Sequence, residues 1–170
     1  NFEEDHTLYM GTAIEGTRVK PARVALWRSR NRGRTWHQIA TQETDARWMD
    51  IQMPLGVTKD VADQAVLATG PFCLRPLRRA KDVWISTVVD PSGANVLNVA
   101  VIGEIDNGAK IYAATGNGVF RSTDGGRTWH PFSEGMEGTS IVGLTALEED
   151  GVYTLYAMTL GGVLWKRTVV

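Results

Sequence analysis

Apolar residues along this chain come in short runs, rich in β-branched and aromatic side chains and separated by Gly, Asn and Asp. Runs of that length between turn formers predict β-strands, and no stretch keeps the spacing of a convincing amphipathic helix. The runs also recur. Trp27-Arg28-Ser29, followed by Asn31, Gly33, Thr35 and Trp36, matches Phe120-Arg121-Ser122, followed by Asp124, Gly126, Thr128 and Trp129, with nine residues from first aromatic to Trp in each. A fainter copy runs from Leu74-Arg75-Pro76 to Trp84, ten residues on, and another begins at Trp165-Lys166-Arg167. The anchors Trp27, Leu74, Phe120 and Trp165 are 47, 46 and 45 residues apart, which is a repeat.

A second series lies ahead of each anchor: Tyr9-Met10-Gly11-Thr12, Val66-Leu67-Ala68-Thr69, Tyr112-Ala113-Ala114-Thr115 and Tyr156-Ala157-Met158-Thr159. Its spacings of 57, 46 and 44 make the first unit about eleven residues longer, and a loop insertion at about 13–22 accounts for the excess. A third series, Met49 to Met53, Leu97 to Ile102 and Ile141 to Leu147, opens the last three units. Each full unit therefore has four strands, A to D. The order B-C-D, A-B-C-D, A-B-C-D, A-B-C gives fourteen strands in units of approximately 1–45, 46–92, 93–138 and 139–170.

Four short strands per 40–50 residues predict an all-β fold of propeller blades, each a small antiparallel sheet with two apolar faces that must stack on its neighbours. The expected architecture is a single β-propeller domain or partial propeller, about three and a half to four blades of a larger ring. A helical solenoid is excluded by strand-length apolar runs and frequent Gly; a β-sandwich is the alternative. Because the strand order lacks a first A and a last D, further blades or a neighbouring chain, self-association included, are expected to complete the ring.

Composition narrows the picture slightly. The 170 residues are 43% hydrophobic and 22% charged with a net charge of −1, as in ordinary globular chains. The longest apolar runs break well before the ~18 residues of a membrane-spanning helix, so no membrane span is expected. The lone Cys73 cannot form an internal disulfide, and no Cys/His cluster has metal-ligand spacing, so neither metal nor cofactor is expected.

Ser122-Thr123-Asp124-Gly125-Gly126-Arg127-Thr128-Trp129 resembles the Asp-box, or BNR repeat, of sialidases, sortilin-type receptors, xyloglucan-degrading glycosidases and photosystem assembly factors. The copy from Ser29 to Trp36 departs only by Asn31 for the Asp, and the copy between Arg75 and Trp84 keeps only the Trp. The resemblance implies a β-propeller in which the box residues, Ser29, Asn31, Gly33, Trp36, Ser122, Asp124, Gly126 and Trp129, lie away from any active site. It is also the only pointer to an extracytoplasmic or secreted location. Their chemistry agrees: Asp and Asn side chains accept backbone N–H bonds in tight turns, and glycines supply positive φ. The Trp is expected to tuck under its hairpin.

The resemblance raises a glycoside hydrolase as the alternative function, which needs convergent carboxylates or, in sialidases, an arginine triad with a Tyr/Glu couple. Of Tyr9, Tyr112, Tyr153 and Tyr156, three stand at equivalent strand-B positions, as packing residues do. Arg75 is a distant echo of the Arg in the Phe/Tyr-Arg-Ile-Pro stretch of sialidases. Asp50, Asp82, Asp90 and Asp106 read as turn or strand-end residues. His37 and His130 follow the two box Trp residues and belong to strand D, neither they nor His6 having a close ligand partner. Cys73 reads as a buried small hydrophobe, and Gly116-Asn117-Gly118 and Gly161-Gly162 as strand B–C turns rather than phosphate loops. No catalytic residue is assigned.

Charge has local structure despite its near-zero sum. Arg18, Lys20, Arg23, Arg28, Arg30, Arg32 and Arg34 occur between 16 and 42 with no acid among them, and Arg75, Arg78, Arg79 and Lys81 form a second cluster. Registration of the repeats puts Arg30, Arg32, Arg34, Arg78, Arg79 and Lys81 on the C–D hairpins of neighbouring blades, a basic rim that is the candidate binding surface. Arg18, Lys20 and Arg23 leave from the B–C turn, toward another end of the blade. The expectation is a non-catalytic module binding a protein or carbohydrate, anionic where it meets the rim. Nucleic acid is not favoured, because no aromatics interleave with the charges.

Overall fold

A computed structural model describes residues 6–46, 48–55, 64–76 and 83–169. Arg78, Arg79, Lys81 and Asp82 lie outside the described residues. The strands are β1 (Leu8–Ile14), β2 (Arg23–Ser29), β3 (His37–Glu43), β4 (Asp50–Gln52), β5 (Val66–Thr69), β6 (Phe72–Pro76) and β7 (Trp84–Val88) in the first half. The second half has β8 (Val96–Ile102), β9 (Lys110–Thr115), β10 (Gly118–Ser122), β11 (His130–Pro131), β12 (Ile141–Glu149), β13 (Val152–Thr159) and β14 (Leu164–Val169).

These fourteen described strands form four antiparallel meanders, β1-β2-β3, β4-β5-β6-β7, β8-β9-β10-β11 and β12-β13-β14. The order of strands A to D is the one the repeat predicts, with B-C-D in the first sheet and A-B-C in the last. Equivalent strands share register: Phe120 lies opposite Ala113 as Leu74 lies opposite Leu67.

Strands in the third sheet read as continuous apolar runs because both faces are covered. Ile111 and Ala113 of β9 join Val66, Ala68 and Cys73 of the second sheet in one core cluster. Tyr112 and Ala114, the alternating positions, join Leu144, Leu155 and Ala157 of the fourth. A third cluster brings Leu26, Ile39 and Ala40 of the first sheet against Leu67 and Leu74 of the second. Burying such a side chain contributes about 1.5–3 kcal/mol, so stacking, not hairpin propensity, holds the sheets.

The A strands carry a polar thread through this apolar stack. Asp50 Oδ2 in β4 accepts the Asn98 side-chain amide at 2.8 Å and the Val99 N–H at 2.7 Å, both in β8. Asn98 Oδ1 in turn accepts the Leu144 N–H of β12 at 2.7 Å, so three successive sheets are hydrogen-bonded through two side chains. Leu55 adds a short parallel bridge to Ile102.

The extra length of the first unit is distributed differently from a simple loop. Ala13 and Ile14 continue β1, pairing with Val24 and Arg23, so the hairpin is lengthened by regular strand. Only 15–22 form the connection, closed by Thr17 N–H to Lys20 C=O at 2.7 Å.

Candidate functional site

The two C–D turns that carry the repeat motif are built alike. In the third sheet the Ser122 hydroxyl donates to Asp124 Oδ1 at 2.7 Å and accepts the Gly126 N–H at 2.8 Å. Asp124 Oδ1 also accepts the N–H groups of Arg127 and Thr128 at 2.9 and 3.0 Å, and Oδ2 accepts the Thr128 hydroxyl at 2.6 Å. In the first sheet Ser29 donates to Asn31 Oδ1 at 3.0 Å, which accepts Thr35 N–H at 2.9 Å. There the last bond reverses, Asn31 Nδ2 donating to Thr35 Oγ1 at 2.8 Å. Burial works against ionisation of Asp124, but the donors from Thr128, Ser122 and Arg127 together outweigh it and hold the carboxyl well below the usual carboxylate range. Such a carboxylate is occupied by its own turn.

Two of the tryptophans reach further than their own hairpins. Trp129 packs on the cluster shared by the second and third sheets and donates its indole N–H to Thr87 Oγ1 of β7 at 3.2 Å. Trp84 packs in the same sense on the cluster containing Leu26, Ile39 and Ala40 of the first sheet. Trp129 and Trp84 therefore fasten their sheets to the preceding one, whereas the Trp36 ring lies beside its own turn, 3.7 Å from where a Cβ on Gly33 would stand.

Arg30, Arg32 and Arg34 all lie exposed on the turn between β2 and β3. Arg32 has φ 60° and its guanidinium stands 3.3 Å from His6 Nε2. Arg78, Arg79 and Lys81, the other half of the expected rim, lie outside the described residues. Arg18 and Lys20 lie on the β1–β2 connection, at the opposite end of β2, which at ~3.3 Å per residue puts them about 20 Å from the β2–β3 turn. These described residues thus form two separate basic ends.

Of the acids singled out from sequence, Asp50 and Asp90 are held within the scaffold. Asp50 bridges the A strands as above. Asp90 Oδ2 accepts the Asn117 amide at 2.9 Å and Oδ1 the Ser92 N–H at 2.9 Å, tying the second-to-third sheet connection to the β9–β10 turn. Burial opposes that carboxylate and the Ser92 and Asn117 donors outweigh it, lowering its pKa. Asp106 falls in a short 3-10 turn, Ile105–Asn107. Tyr112 is buried between the third and fourth sheets, and Tyr9 packs toward the second. His37 and His130 open β3 and β11 and are exposed. Burial pushes the Cys73 thiol up to about 12 against the opposing field of Arg75. Among the described residues no group of three or more His, Cys, Asp or Glu is placed to hold a metal ion. No described helix is long and apolar enough to cross a membrane.

One constellation escaped the sequence reading. Phe132, just after β11, carries the Arg121 and Arg167 guanidinium carbons at 4.7 and 4.6 Å from its ring centroid and leans on Tyr112 at 5.3 Å. Arg167 also meets Glu134 at 3.2 Å. Beside them a cavity of about 260 Å³ opens between the third and fourth sheets, lined by Phe132, Met136, Leu155, Ala157, Trp165 and Arg167 among others. The signal was in the repeat: Phe132 is the third residue after Trp129, where Ile39 and Thr87 stand after Trp36 and Trp84. A large ring there breaks the series.

Four-stranded meanders stacked in chain order define blades of a β-propeller. A solved structure of that fold, BBS1N in complex with ARL6DN soaked with lead, is similar to this chain with a TM-score of 0.51 and 19% identity, covering 86% of this chain and 49% of that one. The same complex soaked with mercury gives a TM-score of 0.45 at 19% identity, over 86% and 48%. The chain thus spans about half the length of the solved chains it matches. No family model and no curated protein matches it.

Proposed function

We propose that this chain is a non-catalytic propeller module that binds a protein partner. The observation that carries the reading is the employment of its polar side chains: Asp50, Asp90 and Asp124 all accept hydrogen bonds within or between sheets. Groups so engaged stabilise a scaffold and leave recognition to surfaces. The similar propeller BBS1N is recorded in complex with ARL6DN, which supports a protein as the partner class. The Asp-box resemblance fits the same reading, since Asp124 and Asn31 are both bonded within their own turns and the Ser122–Trp129 turn is also fastened to Thr87 of the neighbouring sheet. The exposed Arg30, Arg32 and Arg34 turn is the proposed contact for an acidic surface, Arg being suited to bidentate carboxylate binding.

The test is affinity enrichment with the unaltered protein and with the triple variant Arg30→Glu, Arg32→Glu, Arg34→Glu, alongside assays on fluorogenic glycosides. A partner bound by the former and lost by the latter, with unchanged thermal stability, is the expected outcome. Turnover of a glycoside would overturn the reading in favour of a glycoside hydrolase.

A further inference from the structure

We propose that Asn107 is a site of spontaneous covalent modification, deamidating to aspartate and isoaspartate through attack by the Gly108 nitrogen, and that the product unseats the Asp124 turn. The inference is independent of what the module binds.

The chemistry needs a glycine after the asparagine and room to reach it. A side chain at that next position shields its backbone nitrogen, which glycine leaves bare. Asn107 and Asn117 precede glycine, whereas Asn1, Asn31, Asn95 and Asn98 precede Phe, Arg or Val. In the reaction the glycine nitrogen bonds to the asparagine Cγ, the Cγ–Nδ2 bond breaks, and ammonia leaves with the proton that the nitrogen gave up. Water then opens the succinimide. Opening at Cγ gives aspartate; opening at the backbone carbonyl gives isoaspartate, in which the chain runs through Cβ and Cγ. Water is the only co-reactant.

The fold treats the two dipeptides oppositely. Asn117, in the β9–β10 turn, is clamped: its Nδ2 donates to Asp90 Oδ2 and to Ser92 Oγ, each at 2.9 Å, and its N–H donates to Thr115 Oγ1 at 3.1 Å. Swinging that carboxamide onto Gly118 would break both side-chain bonds. Gly118 itself is buried, and a Cβ on it would overlap Ser133 Oγ, so solvent base does not reach its N–H.

Asn107 ends the 3-10 turn Ile105–Asn107 and is exposed. Among the described residues its carboxamide donates to a single acceptor, Glu104 Oε2. Gly108 is half-buried, and nothing stands nearer to where its Cβ would be than the Thr123 carbonyl oxygen at 3.4 Å. Turning the Asn107 carboxamide toward Gly108 therefore gives up one solvent-exposed bond and displaces nothing.

The product acts on the box turn of the same sheet. The Glu104 carbonyl accepts the N–H groups of Asn107 and Ala109 at 3.1 and 3.0 Å, closing the loop that carries Ile105 and Ala109. Those two residues seat Gly125, whose N–H donates to the Ala109 carbonyl at 3.1 Å and whose backbone packs on the Ile105 carbonyl. Isoaspartate adds a methylene to the backbone inside that closed loop. Either product also replaces the amide that donated to Glu104 with a second carboxylate facing it, and like charges repel. Both effects pull on the Ala109 bonds that hold Gly125.

The experiment ages the full 170-residue chain in mildly alkaline buffer, folded and in guanidinium chloride, and follows positions 107 and 117 by peptide mapping with fragmentation that separates isoaspartate from aspartate. In denaturant the two sites should react at similar rates. In the folded protein Asn107 should convert at least tenfold faster than Asn117, with isoaspartate the larger product. Ser92→Ala, an exposed change that removes one acceptor, should speed Asn117 severalfold and leave Asn107 alone. Asn107→Gln, whose longer side chain disfavours ring closure, should stop the reaction at 107. Aged protein should exchange the Gly125 amide faster than fresh protein, and aged Asn107→Gln should not. Equal rates at the two sites in the folded protein, faster conversion of Asn117, no effect of Ser92→Ala, or unchanged Gly125 exchange in protein converted at 107 would overturn the inference.

Discussion

Trp129 of the third sheet donates its indole N–H to the Thr87 hydroxyl of the second across 3.2 Å, and the same hydroxyl stands 3.0 Å from the Gly126 carbonyl. A single threonine thereby holds both ends of the neighbouring box turn. Replacing Trp129 by Phe should keep most of the apolar contact and lose the bond, costing about 1 kcal/mol. Trp129→Ala should cost about 2–3 kcal/mol, because the half-buried ring also leaves a void. In a double-mutant cycle read by urea unfolding, Trp129→Phe and Thr87→Val should be non-additive, since either change alone removes the bond.

How far the sequence carried this result depends on which contacts repeat. Strand order was legible because Trp27, Leu74, Phe120 and Trp165 recur with strand neighbours in phase, and phase alone decides which strand comes next. The sheet-to-sheet contacts were less legible. Trp129 reads as a turn residue because its motif neighbours are local, whereas its partner Thr87 is 42 positions away and has no motif of its own. Arg121, Phe132 and Arg167 likewise belong to three different strands or loops, and nothing in the chain's local pattern joins them. Asp50 and Asn98 could have been caught: each is a polar residue at the equivalent point of strand A with apolar residues on either side, Met49 and Ile51 in one and Leu97 and Val99 in the other.

That Asp50–Asn98 pair makes its own prediction. Asp50→Ala removes the acceptor of both the Asn98 amide and the Val99 N–H, leaving part-buried donors unpaired. The expected loss is about 1–3 kcal/mol. Asn98→Ala should cost a comparable amount by stranding the Leu144 N–H. Amide hydrogen exchange should show Val99 and Leu144 losing protection in the respective variants before more distant strands do.

Acid sensitivity should concentrate at Asp124. Its carboxyl is held below the usual range in the folded protein, so its contribution to stability is complete above the unfolded-state pKa of about 3.9 and is lost as pH falls below it. Asp124→Asn should flatten the stability profile below about pH 4 while leaving neutral stability nearly unchanged, because Asn31 shows that an amide satisfies the same turn with its Thr bond reversed. Thermal melts from pH 6 down to pH 2.5 compare the two proteins, and parallel profiles would refute the assignment.

Two glycines with similar backbone angles should respond very differently to alanine. Gly93 has φ 80° and open space where a Cβ would be, so Gly93→Ala should cost only the left-handed backbone strain, about 1 kcal/mol. Gly125 has φ 71°, but a Cβ there would stand 2.5 Å from the Ile105 carbonyl oxygen, a backbone atom that cannot swing aside as a side chain can. Its N–H also donates to the Ala109 carbonyl at 3.1 Å, so any retreat of the turn breaks the bond that seats the box on its own A–B connection. Gly125→Ala should therefore cost at least about 2 kcal/mol more than Gly93→Ala, strain and displaced contact adding together. Urea midpoints of the two variants measure the difference directly, and equal midpoints would mean that the Asp124 turn is not seated against Ile105.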